Sequence, residues 1–263
     1  MSLTSENLVD IALHAGHLIM QIYASDFDVA HKSDTSPVTL ADETAEHYIL
    51  ERLAELCPDI PVLAEEAVSA GNIPQIGTRF LLVDPLDGTK EFINKRDEFT
   101  VNIALIEHGR PIMGVVYAPA LNRLFVAENT HSAWQAETTP DHQLLPNTDR
   151  SVLRIRGVAD GITAIASKSH RTHETDIFLK KYPVTEIISA GSSLKFCLIA
   201  AGEADLYPRM GRTMEWDTAA GQAVVEAAGG RVLQADGAPL YYGKTERGYD
   251  NPHFIVYGDV TPN

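Results

Sequence analysis

The sequence predicts a mixed α/β fold, and two patterns along the chain predict it. In the first half, β-branched and aromatic runs follow one another with turn signals between them, which is typical of neighbouring strands in one sheet. In the second half, strand-like and helix-like segments alternate, which is typical of a layered α/β arrangement. The chain has 263 residues, of which 44% are hydrophobic, so it is long enough for one large domain or two of ordinary size.

The first half begins with a helix and continues into a sheet. Apolar residues recur at three- and four-residue steps from Leu8 to Ile22, which predicts a helix over residues 8–23. Residues 26–41 are mostly polar and are broken by Pro37, which indicates an exposed loop or a weak hairpin. A second helix is predicted over residues 43–57, and strands are predicted at residues 80–83, 99–106, 112–117 and 123–127.

The second half follows a polar connection. Residues 137–150 contain two prolines and no periodicity, so we expect a surface segment near a boundary between an N-terminal α+β region (1–150) and a C-terminal α/β region (151–263). Beyond it, helices are predicted at 174–181, 194–201 and 218–228, and strands at 162–167, 184–189, 204–207, near 232 and at 254–257.

Charge and composition exclude several classes of protein. Lys and Arg number 21 against 36 Asp and Glu, a net charge of −15, which is the wrong sign for binding a nucleic acid polymer. A ligand that carries phosphate would therefore need metal cations. Two cysteines give no disulfide framework, and no run approaches the roughly 18 apolar residues of a spanning helix. We expect a cytoplasmic protein with no transmembrane segment; nothing in the sequence fixes its oligomeric state.

The sharpest chemical signal is residues 84–89, with the sequence DPLDGT, directly after an apolar strand. Pro85 ends the hydrogen-bond ladder and Gly88 permits a tight turn, so Asp84 and Asp87 can converge at the end of the strand. Like charges this close repel each other unless a cation lies between them. A hard ion such as Mg²⁺ prefers such oxygen ligands, although Asp-Pro and Asp-Gly are also ordinary turn pairs.

Two further acids extend this pattern. Glu65 follows a short apolar run, and Asp217 precedes the predicted helix 218–228. Each has an ordinary alternative, because paired glutamates usually lie on a solvated face and an Asp before a helix is usually an N-cap. Together with the two aspartates they supply the four separated carboxylates that a two-metal site requires.

A competing enzymatic interpretation is an aspartyl-phosphate phosphatase of the haloacid dehalogenase type. Such enzymes carry two aspartates two residues apart after a strand, the first acting as nucleophile. Here Asp84 and Asp87 are three residues apart, which turns the second acid to the other side of an extended segment. The spacing therefore disfavours this class.

The chain resembles the inositol monophosphatase superfamily of lithium-sensitive metal phosphatases. The resemblance rests on the order and spacing of residues 62–66, 84–89 and 216–221. Within that superfamily, residues 88–92, 99–105, 191–197 and 206–209 are similar to the CysQ-type 3′(2′),5′-bisphosphate nucleotidases. The resemblance implies an α+β layered sandwich of alternating helix and sheet layers, with the active site between the N-terminal and C-terminal regions.

The resemblance also implies catalytic and metal-binding roles. Two or three Mg²⁺ ions would be held by Glu65, Asp84, Asp87, Asp217 and the backbone carbonyl of Leu86. The catalytic group would be Asp42 and Thr89, which activate the attacking water, together with Glu65. One departure from the inositol phosphatase pattern is that Ala41 stands where those enzymes have Thr.

Substrate binding is implied for a wider set. The ester phosphate and its metal ions would be contacted by Glu65, Asp87, Gly88, Thr89, Lys90 and Asp217, although an exposed lysine after a turn is often only solvated. Ser192 and Lys195 would bind a second phosphate, since a helix predicted to begin at residues 192–193 places both beside its N-terminus. The alternative is a capped helix with a solvated lysine. Residues 167–170 and Arg209 are further candidates.

The leading hypothesis is a Mg²⁺-dependent phosphatase that converts adenosine 3′,5′-bisphosphate to AMP and phosphate, with the sulfated nucleotide as a second candidate substrate. This would place the protein in sulfur assimilation and nucleotide recycling. Two alternatives stay open: an inositol monophosphatase or sugar-bisphosphate phosphatase on the same scaffold, and a non-catalytic sensor of the bisphosphate nucleotide. Some relatives are described as associating peripherally with the cytoplasmic face of the inner membrane. This sequence shows no basic amphipathic helix that would support such an association.

Overall fold

Helices, two large sheets and one two-stranded antiparallel sheet (Val29–His31 with Pro37–Thr39) make up the computed structural model, which describes residues 3–25, 29–31, 37–139, 141–144, 150–158, 161–167 and 172–262. The helices are α1 (Ser5–Tyr23), α2 (Leu40–Leu56), α3 (Glu65–Ser69), α4 (Thr89–Ile93), α5 (His173–Leu179), α6 (Leu194–Ala200) and α7 (Ala219–Ala227). The strands are β1 (Val29–His31), β2 (Pro37–Thr39), β3 (Val62–Ala64), β4 (Arg79–Asp87), β5 (Thr100–Glu107), β6 (Arg110–Ala118), β7 (Arg123–Asn129), β8 (Ser132–Glu137), β9 (Ser151–Val152), β10 (Ile162–Ser167), β11 (Val184–Ala190), β12 (Leu206–Arg209), β13 (Arg231–Gln234) and β14 (Phe254–Tyr257).

The larger sheet has seven strands in chain order, β3 to β9, and is antiparallel except for the β3–β4 pair. The smaller sheet has the order β11-β10-β12-β14-β13, with parallel pairs around β10 and antiparallel pairs around β14. Helices α1 and α2 pack together on the larger sheet, while α6 and α7 pack between the sheets. The predicted layered α/β fold is thus confirmed.

Strand β4 shows how both faces of the larger sheet are covered. Phe80 and Leu82 belong to one apolar core, and Leu81 and Val83 belong to another on the opposite face. Successive side chains of a strand point to opposite faces, so a strand buried on both sides needs a continuous apolar run. This is why the four-residue run in the sequence lacks the polar alternation of a surface strand.

Most predicted elements occur within a few residues of the expected bounds. Helix α1 starts at Ser5 because Thr4 caps it with Asn7, and α2 starts three residues earlier than predicted because Thr39 is its N-cap. The strand predicted at 204–207 is shifted to Leu206–Arg209. Sequence reasoning missed α3 and α4, each of which is too short for a helical period to show, and also the second strand of the β7–β8 hairpin.

The two halves of the chain share a core. Strand β9 lies beyond residue 150 and still pairs with β8 of the larger sheet. The core between the sheets combines residues of β4 to β7 with residues of α6 and α7. The boundary at residue 150 stays a prediction. No helix in the described ranges has both the length and the apolar character needed to cross a bilayer.

Candidate active site

The pocket begins where strand β4 ends. The pairing with β5 is interrupted between Asp84 and Asp87, and the backbone N–H of Leu86 donates to Asp84 Oδ1 at 3.0 Å. Gly88 follows with φ +95, a left-handed conformation that disfavours a side chain. A Cβ at Gly88 would also collide with the Ser192 hydroxyl. The turn therefore needs glycine at position 88 for two reasons: its positive φ angle and the close approach of Ser192 from the second half of the chain.

Helix α2 brings Asp42 to this turn. Asp42 is buried in the first turn of α2, where its Oδ2 accepts hydrogen bonds from the N–H and the hydroxyl of Thr39, each at 2.7 Å. Its Oδ1 accepts a hydrogen bond from the Thr89 hydroxyl at 3.1 Å. Burial raises the pKa of Asp42 to about 6. The structure thus places together the pair that the resemblance assigns to activation of the attacking water.

The second half of the chain brings Asp217 to the pocket, where Ser193 links it to Asp87. The Ser193 hydroxyl lies 2.9 Å from Asp87 Oδ2 and 2.7 Å from the backbone oxygen of Asp217. The Asn102 side-chain amide donates to the Ser193 oxygen at 2.9 Å, and both Asn102 and Ser193 are buried. One hydroxyl therefore links an acid of the larger sheet to the chain segment that precedes α7.

The acids of the pocket repel one another. Burial raises the pKa of Asp217 well above its usual range, and the charges of Asp87 and Glu65 raise it further. Burial and the charge of Glu65 also raise the pKa of Asp87, although Lys195 and Ser193 oppose that shift. A cation between these groups would offset both the repulsion and the burial of charge.

The donor set fits Mg²⁺. The acids Glu65, Asp84, Asp87 and Asp217 and the Leu86 carbonyl offer only oxygen, the ligand atom that hard divalent cations prefer. In the described part of the chain, no three His, Cys, Asp or Glu side chains are drawn together tightly enough to hold a metal ion as they stand. The fit therefore rests on ligand chemistry and on the charges that a cation would neutralise.

A buried lysine lines the same pocket as the acids. Lys195 is on the first turn of α6, 5% exposed, with its ammonium 3.4 Å from the Ala190 carbonyl and 5.5 Å from the centre of the Tyr207 ring. Burial lowers its pKa to about 8, although the charge of Asp87 favours the ammonium. Arg209 and Arg212 line the same pocket, whose volume is about 260 Å³. The lining thus combines acidic residues (Glu65, Asp87, Asp217), called the acidic wall below, with basic residues (Lys195, Arg209, Arg212), called the basic wall.

The structure brings most of the predicted site residues to one pocket. Its lining includes Glu65, Asp87, Gly88, Thr89, Lys90, Ser192, Lys195 and Asp217. The other predicted residues, Asp42, Asp84 and Leu86, are buried next to this lining. Of the candidates at residues 167–170, Lys168, Ser169 and His170 lie outside the described residues.

The hydroxyl of Ser192 is engaged within the protein. Helix α6 begins at Leu194, as the predicted range 194–201 has it, and Ser192 adopts a left-handed conformation with φ 46 just before the N-cap Ser193. The Ser192 hydroxyl donates toward the backbone oxygens of Asp87 at 2.7 Å and Glu98 at 2.9 Å. Because a hydroxyl has one hydrogen, these two acceptors compete for it. The Ser192 side chain thus links the segment before α6 to the turn after β4, and the role of Ser192 in substrate binding stays a prediction.

Sequence reasoning missed the buried polar residues behind the pocket. Asn102 lies in a matched run with no predicted role, and the hydroxyls of the paired serines 192 and 193 are predicted only to face an anion. A signal existed for Asn102, since a polar residue inside the apolar strand β5 needs hydrogen-bond partners when it is buried. Tyr207 likewise lines the pocket from a predicted strand.

The layered α/β fold and a pocket lined by both acidic and basic side chains define a class, the phosphomonoester hydrolases. The chain belongs to the inositol monophosphatase family, whose sequence model matches residues 3–254. It is 46% identical over 253 residues to the 3′(2′),5′-bisphosphate nucleotidase CysQ of Escherichia coli O157:H7, covering 95% of this chain and 98% of that relative. The corresponding protein of Haemophilus influenzae is 33% identical, with 95% and 90% covered.

Solved structures agree with this assignment. The crystal structure of CysQ from Bacteroides thetaiotaomicron, described as a bacterial member of the inositol monophosphatase family, superposes with a TM-score of 0.82 at 39% identity and covers 98% of this chain and 99% of that one. An inositol monophosphatase of Thermotoga maritima gives a TM-score of 0.76 at 25% identity, with 95% and 90% covered. The predicted family resemblance is therefore confirmed.

Proposed function

We propose that this chain is a 3′(2′),5′-bisphosphate nucleotidase that hydrolyses the 3′-phosphate of adenosine 3′,5′-bisphosphate to give AMP and phosphate. The observation that carries the proposal is that one pocket is lined both by carboxylates at the end of β4 and by the buried Lys195. The identity to relatives named as this enzyme supports it. The sulfated nucleotide is proposed as a second substrate.

The chain's own residues account for activation of water. The Thr89 hydroxyl donates to Asp42, which leaves an oxygen lone pair of Thr89 to accept a hydrogen bond from a water in the pocket. Asp42 is buried with a pKa raised to about 6, so it is a stronger base than an exposed aspartate. Bound Mg²⁺ would lower the pKa of that water and neutralise charge on the phosphate and the leaving oxygen. Glu65, the first residue of α3, lines the same pocket and is the third member of the proposed catalytic group.

The basic wall accounts for the choice of substrate. A bisphosphate nucleotide carries a second phosphate away from the ester that is cleaved, and that phosphate needs cationic side chains in addition to the metal ions. Lys195 and Arg209 line the same pocket and would supply them. A buried ammonium is a strong ligand for an anion because little water competes with it. An inositol monophosphate offers no second phosphate for this wall.

The Lys195→Met variant separates the nucleotidase from an inositol phosphatase. The variant is expected to raise KM for adenosine 3′,5′-bisphosphate by about 10- to 100-fold, since a charge-assisted hydrogen bond contributes about 1.5–3 kcal/mol. The KM for inositol 1-phosphate should stay within about twofold, because that ester leaves the basic wall empty. An equal loss on both substrates would show that Lys195 does not select the second phosphate.

The same variant also has an expected effect on stability. At pH 7 the buried ammonium of Lys195 is unfavourable, so Lys195→Met should raise the melting temperature. Burial lowers the pKa of Lys195 from 10.5 to about 8, so between these values the unfolded chain binds more protons than the folded one. The stability of the wild type therefore rises through this pH range, and its difference from Lys195→Met should shrink, as thermal unfolding at several pH values would measure.

The direct test of the proposed function is phosphate release from adenosine 3′,5′-bisphosphate and from inositol 1-phosphate side by side. Each reaction is run with Mg²⁺, with a chelator and with added Li⁺. Mg²⁺-dependent, Li⁺-sensitive release from the nucleotide is the expected result. Preference for the inositol ester would favour an inositol or sugar phosphatase on this scaffold, and tight nucleotide binding without release would favour a sensor.

We also propose a cytoplasmic location. The two cysteines, Cys57 and Cys197, are buried and unpaired, which is compatible with a reducing compartment. The proposed substrate is an intracellular nucleotide, which supports the same location. Peripheral contact with the inner face of the membrane is the alternative, and fractionation of cells at low and high salt distinguishes the two.

A further inference from the structure

A second buried acid on α2 lies behind the pocket. Glu46 is one helical turn after Asp42 on α2, and residues four apart lie on the same face of a helix. It is 5% exposed, and its two carboxylate oxygens accept hydrogen bonds from the backbone N–H groups of Glu66 and Ala67, each at 2.7 Å. Neither Glu46 nor these contacts form part of the machinery described above.

Those two N–H groups belong to the first turn of α3. The helix has five residues, and its N-cap, Ala64, offers no side-chain hydrogen bond. The first N–H groups of any helix lack partners within the helix, and so short a helix is marginal without outside contacts. The carboxylate of Glu46 supplies both partners from another helix, and its negative charge faces the positive end of α3.

The helix that Glu46 holds begins with Glu65. On its N-terminal side, α3 is fixed by β3, which pairs with β4 through Ala64 and Val83. On its other side it is held by Glu46. These two anchors bracket Glu65, which lines the pocket among the acids.

We propose that Glu46 is a positioning residue for Glu65: it fixes α3 so that the Glu65 carboxylate lies in the acidic wall, and its loss weakens binding of divalent cations at that wall. The inference rests on the proposed function, in which Glu65 is a cation ligand. One face of α2 thus fixes two parts of the site, since Asp42 holds Thr89 and Glu46 holds the helix that carries Glu65.

The test compares Glu46→Gln with wild type in direct binding of Mn²⁺, followed by the paramagnetic resonance signal of the free ion, and in thermal unfolding without metal. Gln keeps one carbonyl oxygen but places an NH₂ group against the second N–H, so α3 loses one hydrogen bond and the charge. We expect Mn²⁺ affinity to fall about 10-fold or more, in the range seen when a group that orients a ligand is removed. Phosphate release at low Mg²⁺ should fall by a similar factor and recover in part at high Mg²⁺.

The matched control is Glu226→Gln. Glu226 is also a partly buried helical carboxylate with two side-chain partners, Arg110 and Gln222, and it is absent from the pocket lining. This variant should bind Mn²⁺ as the wild type does, and its melting temperature is measured alongside. A conservative variant, Glu46→Asp, keeps the charge on a shorter side chain and should restore part of the affinity; it also serves if Glu46→Gln does not fold.

The outcomes separate the two proposals. If the wild type binds Mn²⁺ and the Glu46 variants bind it equally well while they only melt earlier, Glu46 is structural and the inference is overturned. If the wild type itself binds no divalent cation, the proposed cation-dependent function fails and the inference fails with it. Weakened Mn²⁺ binding in Glu46→Gln but not in Glu226→Gln supports the positioning role.

Discussion

The Asp87→Asn variant is expected to lower Mg²⁺-dependent phosphate release by about 10³-fold or more, because loss of several kcal/mol of charge stabilisation has an effect of this size. Asp87 lies at the end of β4, between Ser193 and the charges of Glu65 and Asp217. Asn keeps the shape but removes the charge that would hold a cation. Direct Mn²⁺ binding and phosphate release, measured on the same preparation, check this expectation.

The same variant should be more stable than the wild type when no metal is present. Burial and the charge of Glu65 raise the pKa of Asp87, so the ionised carboxylate is unfavourable in the folded protein above its unfolded pKa. Removing it relieves that cost, and thermal unfolding in chelator should show a higher melting temperature. Asp236→Asn, in the exposed turn after β13, is the control and should change neither property, because Asn keeps an oxygen that can accept from the Ala238 N–H. Normal turnover by Asp87→Asn would remove Asp87 from the metal site.

The Asp42→Asn variant is expected to lower kcat by about 10²- to 10⁴-fold, the range for loss of a general base. Asp42 accepts three hydrogen bonds through its two oxygens, two from Thr39 and one from Thr89. Asn offers one acceptor oxygen in place of two and is not basic, so the Thr89 hydroxyl loses its proton acceptor. Mn²⁺ affinity should stay close to that of the wild type, since Asp42 is not among the proposed cation ligands.

Thr89→Ser provides the matched control for this prediction. Serine keeps the hydroxyl between Asp42 and the pocket, so activity should fall far less than in Asp42→Asn. Asp42→Asn also weakens the capping box of α2, in which Asp42 accepts a hydrogen bond from the backbone N–H of the N-cap Thr39, so melting temperatures are measured alongside the rates. A loss of Mn²⁺ binding equal to the loss of rate would mean that Asp42 shapes the acidic wall instead of activating water.

The acidic turn could be predicted from the sequence because its signals are local. Two aspartates, a proline and a glycine within six residues after an apolar strand determine a turn and its charge. The Asp42–Thr89 contact joins residues 47 positions apart, and packing of α2 on the sheet creates it. No rule based on local residue spacing relates two positions this far apart in the sequence. Only the family resemblance pairs the two residues.

The segment between β11 and α6 shows the opposite case, in which a local sequence rule predicts a direction for the serine hydroxyls that differs from the one in the structure. Paired serines before an apolar run are typical of a helix N-cap. This pattern predicts that the two serine hydroxyls face a bound anion. In the structure the Ser192 and Ser193 hydroxyls reach to Asp87, Glu98 and Asp217. These contacts are long-range, so tertiary packing decides where the hydroxyls point.

The Ser193 contacts also bear on how the site comes into being as the chain is made. Ser193 touches Asp87, 106 residues before it, and the backbone of Asp217, 24 residues after it. During synthesis, the acids of β4 therefore leave the ribosome long before Asp217 and the segment around it. A nascent chain that ends before Asp217 has every strand of the larger sheet but lacks one acid, the far anchor of Ser193 and the helix α7 that packs on that sheet. A chain that ends before Ser193 carries the acids of β4 without Lys195, Arg209 or Asp217, so the pocket forms only after the second half has been made.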